Sequence, residues 1–127
     1  MSKNLNSDIT KLITRYLSIR EHSRLELKNK LTDKGYHPKD ISEAIEEFSL
    51  KDIQSDIRFT EEFIRSRLKK NKGPRLIAAE LTARGIPDNT VTKKLSEVPD
   101  DQWLNHTVDA LSKKLKSSAI TINDKVK

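Results

Sequence analysis

The sequence predicts an all-α protein made of tandem three-helix repeats. Three observations predict this fold: apolar residues recur at helical spacing, no segment alternates as a strand does, and the pattern returns after 50 residues. All three glycines and all four prolines fall at the predicted joints between helices. We therefore expect repeat one at residues 1–50, repeat two at 51–98 and an incomplete repeat three at 99–127.

Repeat one shows the signals of three helices in order. Its first helix is predicted over residues 7–20. The segment Ser23–Glu26 reads "SRLE", a capping box that opens a second helix, and Gly35 follows as the residue that ends it. Pro38 suits the first turn of a third helix. The first helix carries five residues at the i, i+3, i+4, i+7, i+8 spacing of an amphipathic helix: Ile9, Leu12, Ile13, Tyr16 and Leu17.

The same pattern reappears in repeat two. The first helices align with an offset of 51, Leu17 meeting Leu68, so one residue is inserted in the following turn. With an offset of 44, Phe59 meets Trp103, which predicts a helix over roughly 101–116 in repeat three. Because units of about 45 residues bury little apolar surface alone, stacked neighbours are expected to support one another. With an offset of 50, Leu27, Leu31, Gly35, Tyr36, Ile41 and Ile45 meet Ile77, Leu81, Gly85, Ile86, Val91 and Leu95.

The segment "KKNKGPR" at 69–75 raises the question of a phosphate-binding loop. It lacks the G-x-x-x-x-G-K-[ST] pattern, and no predicted strand precedes it. Gly73 suits the N-cap of a helix and Pro74 its first position. We therefore interpret the segment as a joint between two helices.

Residues that carry out catalysis are not apparent. The chain has no cysteine, and its histidines, His22, His37 and His106, lack metal-ligand spacing, so each is expected at a helix start or on the surface. Ser23 is expected to cap a helix, and the glutamates of residues 43–47 to form a solvated acidic face. The sequence predicts no enzyme, no cofactor and no metal.

Without an apolar run long enough to span a membrane or an apolar leader, we expect a monomeric cytoplasmic protein with no membrane partner.

The formal net charge of +6 is unevenly distributed. Residues 1–39 carry +5, residues 40–62 carry −6, residues 65–94 carry +7, and residues 95–127 are balanced. Two basic blocks separated by an acidic block favour contact with polyanions or acidic partners. The alternative is an ordinary solvated helix surface.

Three stretches together carry a resemblance to a known family: "REHSRLELKNKLTDKGY" at 20–36, "DIRFTEEFIRSRLKKNKGPRLIAAELTARGI" at 56–86, and "DDQWLNHTV" at 100–108. In this order and spacing the chain resembles the RecX family of bacterial regulators of the RecA recombinase, over about residues 9–116. The resemblance implies an elongated, curved array of three-helix repeats. It also implies binding in the helical groove of the RecA–single-stranded DNA filament, with inhibition of ATP hydrolysis, strand exchange and co-protease activity.

The end of the sequence departs from the family pattern. Family members usually complete the third repeat with a further basic helix, a glycine joint and a last helix, whereas here "SSAITINDKVK" follows Lys116. We expect the third repeat to be incomplete, and residues 117–127 to be mobile or packed on another molecule.

Basic residues near the helix joints are the candidate binding site. Each joint is expected to present cations at similar positions, which pair with acidic filament surface or with DNA phosphate. For Arg67 the alternative is a structural role, packed near Phe63 and paired with Glu62 or Asp56. The candidate residues are Arg20, Arg24, Lys28, Arg65, Arg67, Lys69, Lys70, Lys72, Arg75, Arg84, Lys113 and Lys114, with Lys116 beside the last two.

Two other function classes stay open at this point. A basic three-helix unit can bind nucleic acid directly, although no helix rich in Asn, Gln and Arg predicts sequence-specific recognition. Sequence-independent binding of single-stranded DNA, directly or through the filament, is compatible with the regulatory role. A helical adaptor that binds acidic partners is the remaining alternative.

Overall fold

The computed structural model describes residues 2–103 and 111–115, with side chains from residue 7. These residues are mainly helical and contain no strand, so the predicted all-α class is confirmed. Residues 100–103 and 111–115 are also helical, while the rest of the helix predicted at 101–116, His106 and residues 117–127 lie outside the described part. The helices are α1 (Ser2–Ile19), α2 (Arg24–Asp33), α3 (Pro38–Leu50), α4 (Asp56–Lys69), α5 (Pro74–Ala83) and α6 (Asp88–Ser96).

The predicted helix boundaries are formed by the expected residues. The Ser23 hydroxyl accepts a hydrogen bond from the Glu26 amide at 3.1 Å, and the Glu26 carboxylate accepts one from the Ser23 amide at 3.1 Å. This reciprocal pair is the predicted capping box. Pro38 and Pro74 stand at the starts of α3 and α5, and His37 caps α3 through its ring.

Helix α1 begins earlier than the sequence pattern indicated. It starts at Ser2, whereas the helix was predicted from residue 7. The residues before Ile9 include no glycine or proline, so nothing in that segment ends a helix. The prediction also omitted Leu5, which lies four residues before Ile9 and continues the helical spacing.

Two separate groups of buried residues hold the helices together. Ile9 and Ile13 of α1 pack with buried residues of α2 and α3, and Tyr16 and Leu17 pack against this core. Phe59 and Ile64 of α4 pack in the same way with α5 and α6. Within the described chain we call α1–α3 unit one and α4–α6 unit two. Three of the pairs aligned by the 50-residue offset are buried in both units: Leu27 with Ile77, Leu31 with Leu81, and Ile41 with Val91.

The two units are in close contact at Gly85. This residue follows α5 with a φ of +84°, and a Cβ placed there would lie 2.7 Å from the Leu25 Cβ on α2. Gly35, its counterpart in unit one, has a φ of +91° and nothing within 4 Å of such a Cβ. The two glycines therefore share a backbone requirement, but only Gly85 is also required for packing between units.

Substituting these glycines separates the two requirements. Gly35→Ala should lower the free energy of unfolding by about 1–2 kcal/mol, because alanine is strained in the left-handed region. Gly85→Ala should cost about 1–3 kcal/mol more than that, because its methyl group also collides with Leu25. Urea unfolding measures both values. Equal losses would show that the units adjust around Leu25 without cost.

Candidate functional site

A buried polar network joins unit one to unit two where α3 connects to α4. Gln54 is only 2% exposed, and its amide nitrogen donates to the His22 carbonyl at 3.2 Å and to the Asp56 carboxylate at 2.9 Å. The Ser49 hydroxyl donates to the Gln54 amide oxygen at 2.6 Å. Because both ends of the buried amide are satisfied, the network holds the connection in one geometry.

Charged residues extend this network to the starts of α2 and α4. Asp56 accepts a hydrogen bond from the Arg24 amide at 2.8 Å, so its carboxylate satisfies the first amide of α2. Arg58 binds Glu21 at 3.0 Å and Asp52 at 3.1 Å. Asp52 and Asp56 therefore bind groups of the same chain, near the contact between the units.

Glu26 binds other residues in addition to its role in the capping box. Both of its oxygens accept hydrogen bonds from the Arg20 guanidinium, each at 3.0 Å. Arg84 of unit two lies 3.8 Å from the same carboxylate, and the Arg84 carbonyl accepts a hydrogen bond from the Ser23 hydroxyl at 2.8 Å. Burial raises the pKa of Glu26, but the hydrogen bonds from Arg20 and Ser23 outweigh it and leave the pKa below its ordinary value.

Arg67 has a structural partner, but not the one that the sequence suggested. It pairs with Glu80 on α5 at 3.0 Å, so the predicted pairing with Glu62 or Asp56 is wrong. The end of α4 faces α5, which brings Glu80 within reach, whereas Asp56 is already bound at the contact between the units. The guanidinium carbon of Arg67 lies 4.5 Å from the centre of the Phe63 ring, and that of Arg84 lies 4.8 Å from it.

The twelve candidate cations thus fall into two groups. Four arginines bind carboxylates within the chain: Arg20, Arg24, Arg67 and Arg84. The other eight form no ion pair with any residue that the structure describes: Lys28, Arg65, Lys69, Lys70, Lys72, Arg75, Lys113 and Lys114. Each of the eight is exposed, and five of them belong to residues 65–75, which we call the basic joint.

The backbone of the basic joint is engaged with α4. The amides of Lys70 and Lys72 both donate to the Arg67 carbonyl, and the Asn71 amide donates to the Leu68 carbonyl at 3.0 Å. Asn71 has a φ of +62°, in the left-handed region, which lets the chain turn after α4. Because these amides close the helix, they are not free to cradle a phosphate. The segment is therefore a joint between α4 and α5, as predicted.

His22 lies at a helix start, as expected, but it is buried. Its Nδ1 is 3.0 Å from the Arg20 carbonyl, and its Nε2 is 2.8 Å from the Lys30 ammonium. The neutral ring satisfies both contacts, since Nδ1–H donates to the carbonyl and Nε2 accepts from Lys30. Burial lowers the pKa of His22 below its ordinary value of 6.5. The charges of Arg20 and Lys30 lower it further, against the opposing effect of the hydrogen bond to the Arg20 carbonyl.

Two features of other protein classes are absent from the described part of the chain. No group of three or more His, Cys, Asp or Glu residues is placed there to hold a metal ion. No helix in that part has the length and apolar character to cross a membrane.

Comparison with known proteins identifies the family. The model of the first three-helix domain of RecX matches residues 14–48, and that of the second three-helix domain matches residues 55–95. Regulatory protein RecX of Chromohalobacter salexigens is 39% identical over 104 residues, which cover 81% of this chain and 67% of that protein. The chain belongs to the RecX family. Regulatory protein RecX of Legionella pneumophila strain Corby is 37% identical over 102 residues, which cover 80% of this chain and 67% of that protein.

Solved structures agree with this assignment. The crystal structure of RecX from Lactobacillus salivarius superimposes with a TM-score of 0.80 at 27% identity, over 94% of this chain and 77% of that one. A second RecX crystal structure gives a TM-score of 0.73 at 14% identity over 80% of this chain and 52% of that one, and supports the fold alone. The resemblance found in the sequence is confirmed. The basic joint lies inside the second three-helix domain of this RecX-family chain.

The buried His22 predicts a pH-dependent stability. The unfolded chain protonates this residue as the pH falls below about 6.5, whereas the folded chain does so only at lower pH. The folded state is therefore most stable above that value and loses stability as the pH falls.

We expect the melting temperature to decrease as the pH is lowered from about 7.5 to about 5.5, a range in which the carboxylates stay ionised. His22→Gln keeps a donor and an acceptor but cannot take up the proton, so its melting temperature should depend less on pH. Thermal unfolding followed by circular dichroism at several pH values measures the difference. Equal pH dependence in both proteins would show that His22 does not titrate on unfolding.

Proposed function

We propose that this RecX-family chain is a regulator that binds the RecA–single-stranded DNA filament in its helical groove. There it inhibits recombinase, ATPase and co-protease activities, and so modulates recombinational repair and the SOS response in the cytoplasm. Membership of a family of regulatory proteins supports the regulatory role. The structural observation that carries the proposal is the group of eight exposed cations without an ion-pair partner among the described residues.

The division of the cations supports binding along a polymer. The four arginines are paired with carboxylates within the chain, while Arg65, Arg75 and three lysines of the basic joint are exposed without an ion-pair partner among the described residues. One exposed ion pair contributes only about 0–1 kcal/mol. Several cations spread along a repeat protein can each pair with a charge on a regularly charged polymer, so their combined binding free energy is larger. We therefore place the contact at the basic joint, with Lys28, Lys113 and Lys114 at the other joints.

Sequence-independent binding of nucleic acid without the recombinase is the second candidate. The basic joint favours it, since lysines neutralise phosphates as well as carboxylates. The aromatic residues argue against a stacking platform for single-stranded bases. None of those with described side chains is exposed; they are Tyr16, Tyr36, Phe48, Phe59, Phe63 and Trp103.

Binding measured across a salt series distinguishes the two candidates. Preformed RecA–single-stranded DNA filaments and the same DNA alone are titrated with the chain by fluorescence anisotropy. The proposal expects tighter binding to the filaments at every salt concentration. Equal or tighter binding to the naked DNA, with a slope of log affinity against log salt near −0.7 for each phosphate contact, would favour the second candidate.

Charge reversal in the basic joint tests the contact itself. Lys70→Glu with Lys72→Glu should weaken filament binding by on the order of tenfold or more, because two favourable pairs become repulsive. Lys34→Glu with Lys39→Glu makes the same change in net charge at two exposed lysines outside the candidate set, and should have a smaller effect. Equal effects of the two double variants would mean that only net charge matters.

A further inference from the structure

A groove opens on unit one at the place where unit two touches it. Residues of α2 and α3 supply most of its lining, and Asp56 at the start of α4 and Gly85 of unit two supply the rest. Its volume is about 540 Å³. We call it the junction groove. Its lining consists of Arg24, Leu25, Lys28, Pro38, Ile41, Ser42, Ile45, Asp56 and Gly85.

The interior of the junction groove is apolar and its edge is charged. Leu25, Ile41 and Ile45 supply branched aliphatic side chains to the lining. At the edge, Asp56 already accepts hydrogen bonds from the Arg24 amide and the Gln54 side chain, and Arg24 pairs with Glu46 at 2.6 Å. Among the described residues, Lys28 forms no ion pair. The uncompensated charge of the groove is therefore positive.

We propose that the junction groove receives an apolar side chain flanked by a carboxylate, presented by a protein surface. The apolar side chain enters the groove and the carboxylate pairs with Lys28. This inference rests on the proposed function, because the surface that presents the pair is the protein component of the filament. It adds a docking contact at the junction, separate from the basic joint.

The lining favours a protein ligand over a nucleic acid. No aromatic ring lines the groove, so a base would find no stacking partner there. A phosphate chain is best held by several cations, whereas Lys28 is the one lining cation that has no carboxylate partner in the described part of the chain. An apolar anchor that fills a pocket, with one charged contact at its edge, is the usual form of a strong contact between proteins.

The junction groove occurs once in the described repeats. With the offset of 50, Leu25 aligns with Arg75 and Lys28 with Ala78, so unit two replaces an apolar wall by a charge and a cation by a methyl group. Gly85 at the edge belongs to unit two and meets Leu25 directly. A bound side chain would therefore contact both units, and the shape of the groove depends on how they meet.

Ser42→Trp tests the groove with a matched control. Ser42 is exposed and lines the groove from α3, so an indole placed there occupies the space without entering the core. Thr92 is its counterpart at an offset of 50, exposed on α6 and absent from the groove lining. Ser42→Trp should weaken binding to preformed RecA–single-stranded DNA filaments by about tenfold or more. Thr92→Trp should change it by less than about twofold.

Lys28→Glu provides a second test that leaves the apolar groove open. It should weaken filament binding by about threefold to tenfold at low salt, and by less at high salt, as screening predicts. Circular dichroism of each variant establishes that it is folded. Normal filament binding by folded Ser42→Trp would overturn the groove contact and leave the proposed function standing. Failure of the unsubstituted chain to bind filaments would overturn both.

Discussion

The buried amide of Gln54 is the constraint on which the arrangement of the two units depends. A buried amide without hydrogen-bond partners costs about 1–3 kcal/mol, so the chain around it must supply them. Here the partners come from α3, from the segment before α2 and from the start of α4. Two of these partners also have a second role, because Asp56 accepts a hydrogen bond from the Arg24 amide and His22 contacts Lys30. The close contact of Gly85 with Leu25, the salt bridges at Glu26 and the junction groove all lie around this network.

Most of the fold could be predicted from the sequence because its signals are local or repeated. The capping box at Ser23, the prolines that begin α3 and α5, and the apolar positions offset by 50 residues each act within one unit. The family resemblance added the expectation that the repeats form an elongated, curved array. The full extent of α1 was missed, since the prediction began at residue 7 and did not use Leu5, four residues before Ile9. The third repeat and its boundaries stay predictions.

The candidate site was harder to predict, because its residues meet across units. The sequence identified the basic residues but could not separate those that hold the fold from those left exposed. Arg67 and Glu80 are 13 positions apart, and Arg84 reaches Glu26 from another unit, so no spacing rule relates them. The burial of His22 and the junction groove likewise follow from how the units pack, which one sequence does not reveal. The assignment of the exposed cations to a partner remains a prediction.

The shared position of Glu26 has a consequence for how the protein folds. One carboxylate completes the first turn of α2, binds Arg20 and faces Arg84 of the neighbouring unit. Loss of unit two therefore removes a cation from the residue that stabilises a helix of unit one. In repeat proteins such nearest-neighbour coupling decides whether units melt one at a time or together. Unit one therefore lacks part of its stabilisation until unit two has formed.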